Sequence, residues 1–152
     1  MQQTSHETES RILRLDREFN ASPEQVYDAW TDPEQLVQWW GPEGMTIPDC
    51  RMDLRVGGHW TTTMLSAEGN RHTVQGVYTV LDRPHHIAFT WAWLYDEGLG
   101  HETIVDVHLE RTERGGTKLT MVQQIFAEEE HRNNHESGWS STFNCLEVFL
   151  SA

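Results

Sequence analysis

The stretch Glu128 to Leu150, EEEHRNNHESGWSSTFNCLEVFL, is where the hydrophobic period of this chain changes. Trp139, Phe143, Leu146 and Leu150 recur at steps of four, three and four, which puts them on one face of a long α-helix. Glu128, Glu129 and Glu130 fall in its first turn, where the helix dipole favours negative charge. Gly138 interrupts the run at a cost of up to about 1 kcal/mol against alanine. It is either a weak point or a place where the helix comes close to a neighbouring backbone.

Before that helix the period is two. RILRLDREF sets Leu13, Leu15 and Phe19 on one side, with Arg17 on the same parity as an inward cation that needs a partner. TIPDCRMDL, HWTTTML, HTVQGVYTVL, HIAFTWAWL, HETIVDVHLE and TKLTMVQQIF follow as strands, separated by Gly57-Gly58, AEGN, Asp82-Arg83-Pro84 and Gly115-Gly116. Strands at this spacing with tight turns predict an antiparallel meander. In TKLTMVQQIF, Leu119, Met121, Gln123 and Ile125 share one parity.

Between the first strand and the meander lie two helix starts. Ser22, Pro23 and Gln25 form one capping box; Asp32, Pro33 and Gln35 repeat the design. Each predicts a helix of about two turns, the second ending at Gly41-Pro42. That second helix carries Trp39 and Trp40, about 100° apart around its axis. One is expected in the core and the other at a cavity mouth, with Trp40 assigned the cavity side. The sum is an α+β fold: a curved antiparallel sheet gripping a long C-terminal helix, with two short helices after the first strand.

Eleven basic against 24 acidic residues give a formal charge of −13, which argues against nucleic acid or an anionic membrane as partner. The chain has no apolar run of about 18 residues and no apolar segment near its start. Residues 1–10 predict a flexible tail and residues 11–152 a single domain. Cys50 and Cys145 fit neither a disulfide framework nor a metal motif and read as small buried hydrophobes in a reducing cytoplasm.

The segments FNASPEQVYDAWTDPEQLVQWWGPEG, RVGGHW, FTW and HESGWSSTFNCLEVFL together resemble the activator of heat-shock-protein ATPase homologue-like family. That family lies in the SRPBCC superfamily of START-like, birch-pollen-allergen-like helix-grip proteins. The resemblance runs from about Arg11 to Leu150 and implies a cavity between sheet and helix. In the superfamily such cavities hold apolar ligands, in some branches with cyclase or hydrolase activity, and the eukaryotic co-chaperones engage a chaperone instead.

Strand and helix parity propose a lining independently: Trp60, Met64, Tyr78, Phe89, Trp91, Trp93 and Met121 from the sheet, and Trp139 and Phe143 from the helix, with Trp40 at the mouth. Each also serves as ordinary core, but so many rings on one face favour a pocket. Thr62, His72 and Gln123 are its polar candidates; a buried glutamine serves a ligand or its neighbours equally well. His131 and His135 stand at i, i+4, yet Arg132 replaces the glutamate of the zinc-protease motif, so no metal is expected. His85-His86 reads as solvated loop. His101 and Glu102 point to opposite faces of a strand and make a poor acid–base pair. With no catalytic constellation and no cofactor motif, the expected function is binding of a small aromatic, polycyclic or lipid-like ligand. The alternatives are an enzyme using the same cavity, or a chaperone-interacting module; a homodimer is compatible with the acidic surface.

Overall fold

The computed structural model describes residues 9–151, so the expected N-terminal tail lies almost wholly outside the described residues. The elements follow the order read from the sequence, with one short strand, Gly98–Leu99, that the sequence reading did not contain. They are β1 (Leu13–Phe19), α1 (Pro23–Thr31), α2 (Pro33–Leu36), β2 (Thr46–Met52), β3 (His59–Leu65), β4 (Arg71–Asp82), β5 (His86–Tyr95), β6 (Gly98–Leu99), β7 (Thr103–Arg111), β8 (Thr117–Gln124) and α3 (Glu129–Ser151).

All strand pairs are antiparallel, in the order β1-β8-β7-β5-β4-β3-β2, with the short β6 folded back on β5. Strands β2 to β8 form the meander. β1 joins its far edge, pairing Leu13 with Gln123 and Phe19 with Thr117. The two short helices carry the chain from that edge to the other. The sheet is curved and open, and α3 lies in its grip, as expected.

Two arginines tie α3 to β1 and to the residue just before it. Arg17 donates to the Asn144 Oδ1 at 3.0 Å and the Ser140 carbonyl at 3.3 Å, and stands 3.5 Å from Glu147. Nearer the start of the helix, Arg132 donates to the Ile12 carbonyl at 3.1 Å. The inward parity of Arg17 is thus explained by the polar side of α3.

The first helix start is built as its sequence predicts; the second keeps its Asp32 cap but forms neither the capping box nor the second α-helical turn. Ser22 accepts from the Gln25 N–H, and Gln25 Oε1 accepts from the Ser22 N–H at 2.9 Å. Asp32 accepts from the Glu34 N–H at 3.1 Å, while Gln35 donates to the Asp32 carboxylate rather than reaching back to its backbone. Only Pro33–Leu36 is α-helical; turn bonds, including Trp40 N–H to the Leu36 carbonyl at 2.9 Å, carry the coil to Trp40. Gly41 then takes φ +88°, a left-handed stop that suits glycine.

Two local expectations are corrected. Strand β8 ends at Gln124, so Ile125 is exposed and Phe126 is buried instead, its ring 4.8 Å from that of His135. His86 is not a loop residue: it opens β5 and is held by Asp106 of β7 at 2.8 Å. Among the described residues no helix is long and apolar enough to cross a membrane.

Candidate functional site

Between the concave face of the sheet and α3 lies a cavity of about 470 Å³. Met64 of β3, His72 of β4 and Trp91, Trp93 and Tyr95 of β5 form one wall. Asn134, His135, Gly138, Trp139 and Thr142 of α3 form the other, and Trp40, Gly41 and Pro42 close one end. Four indoles contribute, and the lining contains no carboxylate, lysine or arginine. The sheet places them by period two: Trp91 and Trp93 share the inward parity of β5, and Met64 faces His72 across the β3–β4 ladder. The indoles brace one another at short range. Trp91 lies 5.2 Å from Trp139 and 5.4 Å from Trp93, and Trp40 lies 5.6 Å from Trp139.

The paired tryptophans divide their work. Trp39 is 1 % exposed and donates its indole N–H to the Ala29 carbonyl at 3.1 Å. That carbonyl sits four residues before Pro33, which has no N–H to offer it, so the indole supplies the missing donor. Trp40 faces the cavity and donates to Thr62 Oγ1 at 3.0 Å.

His135 is the polar centre of the wall. Its Nδ1 donates to the His131 carbonyl at 2.7 Å. Its Nε2 accepts from Trp93 Nε1 at 2.9 Å and from Trp91 Nε1 at 3.3 Å. A carbonyl can only accept and an indole N–H can only donate, so all three partners demand one neutral tautomer. Burial, with the nearby His131, holds its pKa below the ordinary histidine value, against the raising effect of the bond to the His131 carbonyl. His135 also borders a second space of about 220 Å³ that shares Trp91, Trp93, Tyr95 and Asn134 with the first. The ring and its two indole partners therefore form a partition between two chambers.

The remaining expected lining residues sit elsewhere. Trp60, Thr62, Tyr78 and Phe89 surround, with Trp40, a void of about 20 Å³, room for nothing larger than a water-sized molecule. The Trp60 and Phe89 rings meet edge-on at 5.3 Å and fill that end of the grip. The indole N–H groups of Trp30 and Trp60 have no partner among the described residues. Met121, Gln123 and Phe143 are packed into the core beneath the cavity and do not line it. Gln123 is occupied by neighbours: its Oε1 accepts from Trp139 at 2.8 Å and its Nε2 donates to Thr103 Oγ1 at 2.9 Å. This bridge fixes α3 on the sheet. Parity thus brought Trp40, Met64, His72, Trp91, Trp93 and Trp139 to the cavity and missed Tyr95 on β5 and Asn134, His135, Gly138 and Thr142 on α3, as well as Gly41 and Pro42 at the end. Helical spacing could have found His135 and Thr142, which lie four residues before and three residues after Trp139.

No other reactive group converges here. His131 pairs with Glu128 at 3.4 Å while His135 turns inward, so the i, i+4 pair shares no ligand position. His101 is exposed and donates to the Ile125 carbonyl at 2.6 Å. Both cysteines are free thiols; burial and Asp49 push Cys50 up to about 11, and burial raises Cys145. Neither is a ready thiolate.

Residues 20–151 match the family model described as activator of Hsp90 ATPase homolog 1-like protein. The chain belongs to that family. Its members form part of the SRPBCC superfamily, in agreement with the helix grip described above. The AHSA1 protein from Silicibacter pomeroyi is similar to this family member at 34% identity and a TM-score of 0.83, over 92% of this chain and 97% of the other. A protein from Chromobacterium violaceum is 30% identical, with a TM-score of 0.82, over 93% and 98% of the two chains. One from Nitrosomonas europaea is 27% identical, with a TM-score of 0.78, over 93% and 95%. No curated protein matches the chain. Family membership supports a ligand-binding or co-chaperone-like module.

Proposed function

We propose that residues 11–152 act as one helix-grip domain that binds a small, flat, uncharged apolar molecule in the large cavity. The observation that carries this reading is the lining: four indole faces and Met64 around about 470 Å³, with no formal charge among acids, lysines or arginines. That volume falls in the range of about 300–1,000 Å³ usual for small-molecule sites. Indole faces stack on planar rings, and a thioether adapts to irregular shapes. Buried without a countercharge, an ionic ligand would pay a heavy desolvation cost there.

The polar groups suit orientation more than turnover. Both nitrogens of His135 are engaged and its proton affinity is lowered, which supports binding over acid–base catalysis. The co-chaperone reading draws on the family description alone. With two free thiols, a reducing cytoplasm is the compartment we assign.

Intrinsic fluorescence tests the proposal. Titration with 1-aminoanthracene, a neutral tricyclic probe, is expected to quench tryptophan emission saturably, with a one-to-one endpoint. A Trp91→Ala, Trp139→Ala double variant that remains folded is expected to lose that response. Absence of saturable binding across neutral aromatic, polycyclic and lipid-like probes would refute the reading.

A further inference from the structure

The convex face of the sheet, opposite the cavity, brings together two histidines and an aspartate that the binding site does not use. His86 of β5 stands directly across from His108 of β7. The Leu109 N–H donates to the His85 carbonyl at 2.8 Å, so 85–109 is the hydrogen-bonded position and 86–108 a non-hydrogen-bonded one, where side chains approach most closely. Asp106 precedes His108 by two residues and so shares its face, while Val105 and Val107, on the opposite parity, are buried in the core. His86 Nε2 lies 2.8 Å from Asp106 Oδ1, and the rings of His86 and His108 stack with centroids 4.1 Å apart. One candidate donor atom from each of the three residues lies within 4.8 Å of the other two.

We propose that His86, Asp106 and His108 form a binding site for a divalent transition-metal ion of the zinc type. Two imidazole nitrogens and one carboxylate oxygen suit zinc, cobalt, nickel or copper better than magnesium or calcium, which prefer all-oxygen shells. Metal–ligand bonds of about 2.0–2.2 Å in a tetrahedral shell need donor atoms about 3.3 Å apart. The exposed His108 ring is free to turn out of the stack and aim its in-plane lone pair at the ion. His86, half-buried and held by Asp106, stays in place. A net charge of −13 raises the local concentration of cations. Three protein ligands leave one position open toward the shallow groove where Arg14 and Thr120 lie beside Asp106 and His108.

Isothermal titration of untagged protein with zinc chloride tests the site, with cobalt absorption as a reporter of coordination geometry. The expected result is one saturable site whose affinity falls at least about tenfold in His86→Ala, in Asp106→Asn and in His108→Ala. His131→Ala, which removes the exposed His131–Glu128 pair, is expected to bind as the wild type does. His108 is exposed, so its removal leaves the core untouched, and circular dichroism checks that each variant is folded. Failure of the wild type to bind zinc saturably would overturn the site. So would a folded His86→Ala, His108→Ala double variant with wild-type affinity.

Discussion

Gly138 offers a substitution that separates folding from binding. It sits within α3 and lines the cavity, and a Cβ built there would meet only Pro42 Cγ, at 3.9 Å, an ordinary contact. The glycine is therefore not needed for a close backbone approach; what it preserves is space. A helical side chain leans toward the preceding turn, so leucine at 138 would spread over Asn134 and His135, both lining residues. Glycine costs about 0.8–1 kcal/mol against alanine in a helix interior, and leucine recovers most of that. In a chain of this size that raises Tm by about 2–4 °C. The same side chain occupies the volume a planar ligand needs. Gly138→Leu is thus expected to be more stable than wild type yet to bind 1-aminoanthracene at least about tenfold more weakly, a loss of about 1.4 kcal/mol. Thermal denaturation and the fluorescence titration measure both. A variant that binds as wild type does, or whose Tm falls by several degrees, would refute the reasoning.

Three further outcomes follow from hydrogen bonds in the same region. His135 is held neutral when folded, so the unfolded chain takes up its proton first as pH falls below about 6.5. Wild-type stability is therefore expected to decline below that pH relative to His135→Gln, by up to about 1.4 kcal/mol per pH unit until the depressed folded pKa is passed; parallel pH curves from urea unfolding would contradict this. Trp39→Phe removes the donor to the Ala29 carbonyl, whereas Trp60→Phe removes an unpartnered N–H. Trp39→Phe is expected to cost at least about 1 kcal/mol more than Trp60→Phe in urea denaturation, and equal losses would argue otherwise. Gln123→Leu strands the Trp139 N–H and is expected to destabilise by about 2–3 kcal/mol, a figure that chemical denaturation would show wrong if the loss were under 0.5 kcal/mol on the scale of a single hydrogen bond.

The fold was legible because its signals are local and repeated. Ser22-Pro23 and Asp32-Pro33 announce two helix starts, alternation marks each strand, and the step from Gln124 to Glu129 changes the period from two to that of a helix. The site was legible only in part. Parity tells which face a residue occupies but not how far along the grip it lies, so Trp60 and Phe89 share a face with Trp91 yet fill the closed end. Position along that face depends on how Trp40 packs over Trp60, a tertiary contact at 6.3 Å that no local pattern encodes. Gln123 was ambiguous for a similar reason: its partners Thr103 and Trp139 are 20 and 16 residues away. His135 was weighed only as half of a metal pair, and set aside, because i, i+4 spacing says nothing about two indoles on a distant strand. His86 looked like loop because Pro84 precedes it, while its register with His108 is fixed by pairing across the sheet.

The central claim is that a ligand enters among one particular set of indoles. Each of the seven tryptophans has its own Nε1–H resonance in a nitrogen–proton correlation spectrum of labelled protein, assignable by single Trp→Phe variants. On titration with 1-aminoanthracene, the signals of Trp40, Trp91, Trp93 and Trp139 are expected to shift together and saturate, and those of Trp30 and Trp39 to stay in place. Shifts confined to other tryptophans, or none at saturating probe, would contradict the account.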